Sequence, residues 1–136
     1  MGPLDTISTI AASGMHAQGR RLKLTAENVA NANSTGASPN EDPFRRKTIT
    51  FAEVLDRGTG ASLVGVRRIG RDQSDFPLRH DPAHPAADEN GYVRTPNVNS
   101  ILEMSNMREA VRSYEANLNM YEAARTMRRQ MTDMLR

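Results

Sequence analysis

Between Ser100 and Arg136 the chain carries neither glycine nor proline, and across that stretch its apolar residues recur with a heptad step. Met104, Met107, Val111, Tyr114, Leu118 and Tyr121 alternate spacings of three and four, and Ala124, Met127, Met131 and Leu135 resume the pattern after a three-residue stammer. This is the signature of a long helix with one apolar seam. Ser100 and Glu103 have the S-x-x-E form of a capping box, in which each side chain satisfies a backbone donor of the other, so the helix is predicted to start there. Glu109 with Arg112, Glu122 with Arg125, and Arg129 with Asp133 stand at helical neighbour spacing and define a solvated outer face. At 1.5 Å per residue such a helix runs roughly 50 Å. That exceeds what a compact domain of this size houses, so the seam needs a partner.

The N-terminal stretch supplies one. From Pro3 to about Asn33 there is no further proline, and Leu4, Ile7, Ala11, Met15, Leu22, Ala26 and Val29 fall at steps compatible with a 3.6-residue period. The stripe is poor in area. Gly14 and Gly19 each cost roughly 1 kcal/mol against alanine in a helix, but small residues let another helix approach closely. Composition makes the same point: hydrophobic residues are 38% and aromatics 4% of the 136 residues, with no Trp and no Cys. A chain of this length with so few large apolar side chains closes a core poorly on its own. Ordering a terminal helix costs about 1 to 2 kcal/mol per residue, comparable to what its stripe returns on burial, so the ends of the isolated chain are expected to fray until partners cover them.

Residues 34–99 hold the remaining prolines and most of the glycines. Lys47-Thr48-Ile49-Thr50-Phe51 alternates as a strand, Leu63 to Ile69 reads as a second, and Gly58-Thr59-Gly60 is a turn between them. Asn90-Gly91-Tyr92-Val93 within a proline-rich passage is hairpin-like or extended. The expected fold class is α+β. Long helices at 1–33 and 100–136 pair as a coiled-coil layer, and 34–99 forms a small β-containing central domain.

Several function classes fall away. Without cysteine there is no disulfide scaffold, thiolate metal centre or thiol nucleophile. No apolar run approaches the roughly 20 residues that span a bilayer, and no basic region followed by an apolar one marks a cleaved signal peptide. The net charge of +2 is interleaved along the whole chain. Nucleic-acid binders instead concentrate Lys and Arg to neutralise adjacent phosphates. His80 and His84, with Asp88 and Glu89 nearby, are the best metal candidates, but Pro82 and Pro85 prevent the helix that would align them. A solvent-facing polar role is the expectation, and no cofactor or metal is assigned. No G-x-S-x-G or P-loop lysine is present, and no catalytic residue is assigned.

The asparagines are less ordinary. Asn28, Asn31 and Asn33 close the first helix, and Asn97 and Asn99 precede the second. Leu24-Thr25-Ala26-Glu27-Asn28-Val29-Ala30-Asn31-Ala32-Asn33 resembles the A-x-N-[hydrophobic]-A-N signature of bacterial flagellar axial proteins, the rod and hook components. Arg112-Ser113-Tyr114-Glu115-Ala116-Asn117 resembles the same family's R-x-Y-x-A-N signature. Asp81-Pro82-Ala83-His84-Pro85 through Tyr92-Val93, with Pro96-Asn97-Val98-Asn99, looks like a proximal-rod member in particular. One departure narrows this: Ala37 to Pro43 is inserted before Phe44-Arg45-Arg46-Lys47, where many members continue directly. The role of that loop stays open.

The resemblance implies a non-enzymatic structural subunit of the basal-body rod, located across the periplasm. It implies an inner coiled-coil layer of both terminal helices and helical stacking with other rod proteins and with copies of itself. It also implies passage through the flagellar type III export apparatus without a cleaved signal. The residues expected at the assembly interface are Leu4, Ile7, Met15, Leu22 and Val29, with Met104, Met107, Val111, Tyr114, Leu118, Tyr121 and Met131. The signature residues are Asn28, Ala30, Asn31, Asn33, Pro96, Asn97, Asn99, Arg112, Tyr114 and Asn117, of which the amides are expected to fix register between chains. A second reading remains open at this point: a coiled-coil adaptor or export chaperone that never polymerises, for which the irregular middle would be superfluous.

Overall fold

Helix α1 forms over Pro3–Ala30 and helix α2 over Ser100–Met134, with four strands between: β1 Lys47–Leu55, β2 Ser62–Arg71, β3 Leu78–His80 and β4 Tyr92–Arg94. This computed structural model describes residues 2–136. The strands form two separate two-stranded sheets, β1 with β2 and β3 with β4. The architecture is α+β, two long helices and a small β region, as the sequence predicts. The chain divides into two compact units.

The first unit holds the chain up to Leu22, Ile49–Arg68 and Arg108–Arg136. Here α1 and α2 run antiparallel. Asp5 pairs with Arg128, Gly14 lies against Asn117, and Arg21 reaches Glu109 at 3.3 Å. The buried residues at this contact are small: Ala11, Ala17, Ala110 and Ala124. A β-carbon added at Gly14 would sit 2.7 Å from the Asn117 side chain, which shows how close the two backbones come. The β1–β2 hairpin closes through a turn in which Asp56 accepts from Gly58 N–H (3.2 Å) and from the Thr59 hydroxyl (2.8 Å). Gly60 takes φ +73, where a side chain would be strained. Ser13 of α1 accepts from the Val64 N–H at 3.2 Å, so a backbone donor of β2 finds its partner on the helix.

The second unit holds Lys23–Thr48 and Ile69–Met107. Its core combines Leu24, Ala86 and Val93 with buried Thr25, Asn28 and Glu103. Among the described residues, the largest fully buried side chains are Glu103, Val93 and Asn28, two of them polar. Strands β3 and β4 pair antiparallel with Arg79 opposite Val93, and the opposed His80 and Tyr92 rings meet edge to face at 5.0 Å. Gly91, at φ +83, makes the bend into β4.

The loop from Ala37 to Pro43 is tied down rather than loose. Arg94 donates to Asp42 at 2.8 Å and to the Pro39 and Glu41 carbonyls at 3.3 Å. A β-carbon at Gly36 would lie 2.3 Å from the Glu41 carbonyl oxygen, so the loop can close in this way only over glycine.

The start of α2 differs from the sequence expectation in one respect. Asn99, not Ser100, caps the helix: its Oδ1 accepts from the N–H groups of Ile101 (3.1 Å) and Leu102 (3.3 Å). Asparagine caps as well as serine. Glu103 is thereby released from the capping box, and its carboxylate turns into the core of the second unit.

Candidate assembly interface and its polar anchor

On α2 the line of contact with α1 is turned by one residue from the apolar seam read over Met104 to Tyr121 and rejoins that reading at Ala124. Glu103, Ala110, Asn117 and Ala124 repeat every seven residues, and three of them are buried: Glu103 at 2%, Ala110 at 0% and Ala124 at 3% exposure. An α-helix drifts about 20° per heptad against such a repeat, so these four remain on one face over three heptads. Met104, Val111 and Leu118 stand one position further round. Met104 and Val111 are exposed and Leu118 is only half-buried. Tyr114 and Tyr121 flank the contact line, Tyr114 lying 3.9 Å from the position of a β-carbon on Gly19. Met107 is half-buried. Met131, one heptad beyond Ala124 on the same line, is exposed, as are Met120, Met127 and Met134 on one flank.

On α1 the expected interface residues Leu4, Met15, Leu22 and Val29 are half-buried and Ile7 is exposed. The small residues Ala11, Gly14 and Ala17 do the close packing instead. The consequence for α2 is a helix that meets its own partner helix through Ala110, Asn117 and Ala124, while Met104, Met120, Met127, Met131, Met134 and Val111 remain in water.

The asparagines of the signatures anchor the second unit from inside. Asn28, fully buried, donates to the Lys47 carbonyl at 2.9 Å and accepts from the Lys47 N–H at 2.9 Å, pairing with β1 as a neighbouring strand would. Its Nδ2 also lies 3.5 Å from Glu103 Oε2. Glu103 Oε1 accepts from Arg46 Nε, and Arg46 faces Asp72 at 3.6 Å. Asn97 accepts from the Arg46 N–H at 2.8 Å and donates to the Asp72 carbonyl at 2.9 Å. The Arg46 carbonyl takes the Asp72 N–H at 2.8 Å. A polar cleft of about 430 Å³ opens beside this cluster, lined by Arg46, Asp72, Asn97, Asn99 and Glu103 among others.

Asn31 bonds the Glu27 carbonyl (2.9 Å) and the Ser34 hydroxyl (3.1 Å), finishing α1, while Asn117 bonds the Ser113 carbonyl at 2.8 Å. Ala30 and Asn33 are exposed at that helix end, Pro96 is buried ahead of α2, and Arg112 is exposed on it. The sequence reading singled out the amides but missed Arg46 and Glu103. The available signal was Glu103 itself, a carboxylate assigned to a cap that the adjacent Asn99 could fill.

His84 is a structural residue. Its Nδ1 accepts from the Ala86 N–H at 2.9 Å, so in the neutral ring Nε2 carries the proton and donates to the Thr35 hydroxyl at 3.1 Å. Among the described residues no group of three or more His, Asp or Glu side chains is placed to hold a metal ion.

Two carboxylates of the second unit are held below their ordinary range. For Asp72 the Ser74 N–H dominates, followed by the Ser74 hydroxyl, with Arg46 adding to both. For Glu27 the Lys47 ammonium at 2.6 Å dominates, by hydrogen bond and by charge. A depressed folded-state pKa stabilises the fold above the unfolded carboxylate value near 4, and the contribution is lost as pH falls through the folded-state value. Thermal melts between pH 6 and pH 2.5 are therefore expected to show falling stability below about pH 4. Asp72→Asn should flatten that slope; an unchanged slope in this variant and in Glu27→Gln would contradict the assignment.

Residues 9–37 match the family model described as flagella basal body rod protein, and residues 89–134 match the model described as flagellar basal body rod FlgEFG protein C-terminal. The two long helices with their signatures thus define a protein of the flagellar basal-body rod class. Relatives described as flagellar basal-body rod protein FlgC cover nearly the whole chain. The Agrobacterium fabrum protein is 48% identical over 100% of this chain and 98% of its own length. The Borreliella burgdorferi protein is 37% identical over 93% of each, and the Salmonella typhimurium protein 37% identical over 91% and 92%. The chain belongs to the FlgC family of flagellar basal-body rod proteins. No helix among the described residues is long and apolar enough to cross a membrane.

Proposed function

We propose that this chain is a structural subunit of the proximal rod, and that the exposed apolar flanks of α2 are where neighbouring rod subunits pack. The carrying observation is the displaced seam. The helix pair is closed by alanine, glycine and asparagine, which leaves Met104, Val111 and Met131 uncovered in a protein of the rod family. Buried apolar area then accrues between subunits, at about 25 cal/mol per Å² removed from water. On this reading the partners are other rod proteins and further copies of the chain, stacked helically around the channel through which later subunits pass. The chain reaches that position through the flagellar type III export apparatus, without a cleaved signal, and lies in the part of the rod that crosses the periplasm. It acts by packing, not by catalysis. The terminal residues 1–33 and 100–136 are the assembling elements, and 34–99 the attached central part. Asn33, exposed at the end of α1, is the signature amide best placed to meet another chain.

The test is complementation of a deletion strain, read by electron microscopy of purified basal bodies and by swimming. Deletion is expected to remove the rod and stall export, and the wild-type gene to restore both. A variant with Met104→Glu, Val111→Glu and Leu118→Glu should fold in solution yet fail to restore rods, because three carboxylates on one flank resist burial. Full-length rods built from a variant whose circular dichroism matches the wild type would overturn the interface assignment. If dilute wild-type subunit already shows both helices complete and protease-resistant, the proposed coupling of helix order to assembly fails.

A further inference from the structure

The polar cluster at the base of α2 combines features that a packing core does not need. Glu103 is 2% exposed and carries a charge, where an aliphatic residue would fill the same space at lower cost. The three members bonded together, Asn28, Arg46 and Glu103, come from the end of α1, the residue before β1 and the first turn of α2. Two asparagines grip consecutive residues of one strand start: Asn97 takes the N–H of Arg46, and Asn28 takes both the N–H and the carbonyl of Lys47. Every contact is directional, and every partner is a specific backbone or side-chain atom. We infer that Glu103 and Arg46 are positioning residues that, through Asn28, lock the ends of both helices and the start of β1 into a single register.

The helix contact in the first unit is lined by alanine and glycine, and β1 alternates side chains weakly, so apolar packing alone discriminates poorly between neighbouring registers. If β1 slipped by one residue, Asn28 would face a peptide group presenting its donor and acceptor to the opposite side. Glu103 would then lose Arg46, and the cation brought beside it, Arg45 or Lys47, would have to leave its own partners, the Asp72 and Ser74 carbonyls or Glu27. An uncompensated buried charge is among the costliest single defects a fold can contain. The ion pair therefore acts chiefly by penalising wrong registers. Replacing it by apolar groups should preserve stability and abolish discrimination. This property belongs to the isolated chain and holds whether or not the rod interface lies where it is placed above.

The experiment uses the full chain and three variants. Glu103→Leu alone, which leaves Arg46 only the longer contact to Asp72 and takes the carboxylate from beside Asn28, should lower the folding equilibrium constant by about a hundredfold. Arg46→Met alone should behave similarly, because it leaves Glu103 unpaired. The Arg46→Met, Glu103→Leu double variant should return to within about tenfold of wild type. Its amide spectrum should nevertheless show a second set of peaks for residues 46–51 and for the Asn28 side-chain amide, with faster hydrogen exchange at Lys47. A double variant that keeps one set of peaks would overturn the inference. So would one that loses as much as both single variants together, or that fails to fold, because the pair would then be supplying stability and not selection.

Discussion

Asn28→Leu is expected to lower the stability of the chain by about 3 kcal/mol, a drop in melting temperature of about 10 °C, although leucine has the same branched skeleton as asparagine and suits a helix better. The loss follows from what asparagine leaves behind. Its amide is the partner of both the N–H and the carbonyl of Lys47 at 2.9 Å, in a place with no exposure to water. Leucine would strand both groups, each at about 1 to 3 kcal/mol. The gain in helix propensity is only a few tenths of a kcal/mol and cannot offset that. Asn28→Asp should be comparably damaging for another reason: it puts a second carboxylate where Asn28 Nδ2 now lies 3.5 Å from Glu103. Denaturant unfolding of both variants checks this. A Leu variant within about 0.5 kcal/mol of wild type would mean that Lys47 finds other partners.

Gly14→Leu is the second large effect, and there the two relevant terms oppose each other. Leucine in place of glycine in mid-helix is worth about 1 kcal/mol in propensity. At this position, however, a β-carbon alone would sit 2.7 Å from the side chain of Asn117, which is itself held by the Ser113 carbonyl at 2.8 Å. Overpacking a close contact costs about 1 to 3 kcal/mol, and a leucine adds three carbons beyond the β-carbon. The packing term wins, so a net loss of about 2 kcal/mol is expected. A size swap separates the terms. Gly14→Ala alone should destabilise, and Gly14→Ala with Asn117→Ala should recover to within about 0.5 kcal/mol of wild type, since the second change removes the amide that the new methyl meets. If Gly14→Ala alone raises the melting temperature, helix propensity has prevailed and the close approach at this point is not needed.

These two residues also mark the boundary between what could be read from the sequence and what could not. Both long helices were legible because the evidence for them is local: a run without Gly or Pro in α2, and a 3.6-residue period in α1. The β1–β2 hairpin was legible from alternation and a Gly-Thr-Gly turn. The face that α2 turns toward α1 was not. Periodicity ranks positions by hydrophobicity, and it picked Met104, Val111 and Leu118. The antiparallel pair instead closed over Ala110 and Asn117, meeting the pattern read in the sequence only at Ala124, because close approach favours small side chains and Gly14 permits it. The cap was misplaced for a related reason. Asn99 and Ser100 are equally good caps, and the choice between them rests on where the Glu103 carboxylate goes.

What the sequence determined by itself is the inventory: two helices too long and too sparingly apolar to be self-sufficient, an irregular middle, and signatures at both ends that resemble axial proteins. Those features depend on residues within a few positions of one another, which is the range over which propensity, periodicity and capping act. Only the tertiary structure decided that Asn28, Arg46 and Glu103 meet, that Asn97 and Asn28 hold the consecutive residues Arg46 and Lys47 at the start of β1, and that α2 meets α1 through Ala110, Asn117 and Ala124 with most of its methionines left exposed. Those outcomes join residues as far apart in the chain as Asn28 and Glu103, or Gly14 and Asn117. They depend on which contacts satisfy buried polar groups and admit close backbones at the same time, a condition that no local pattern encodes.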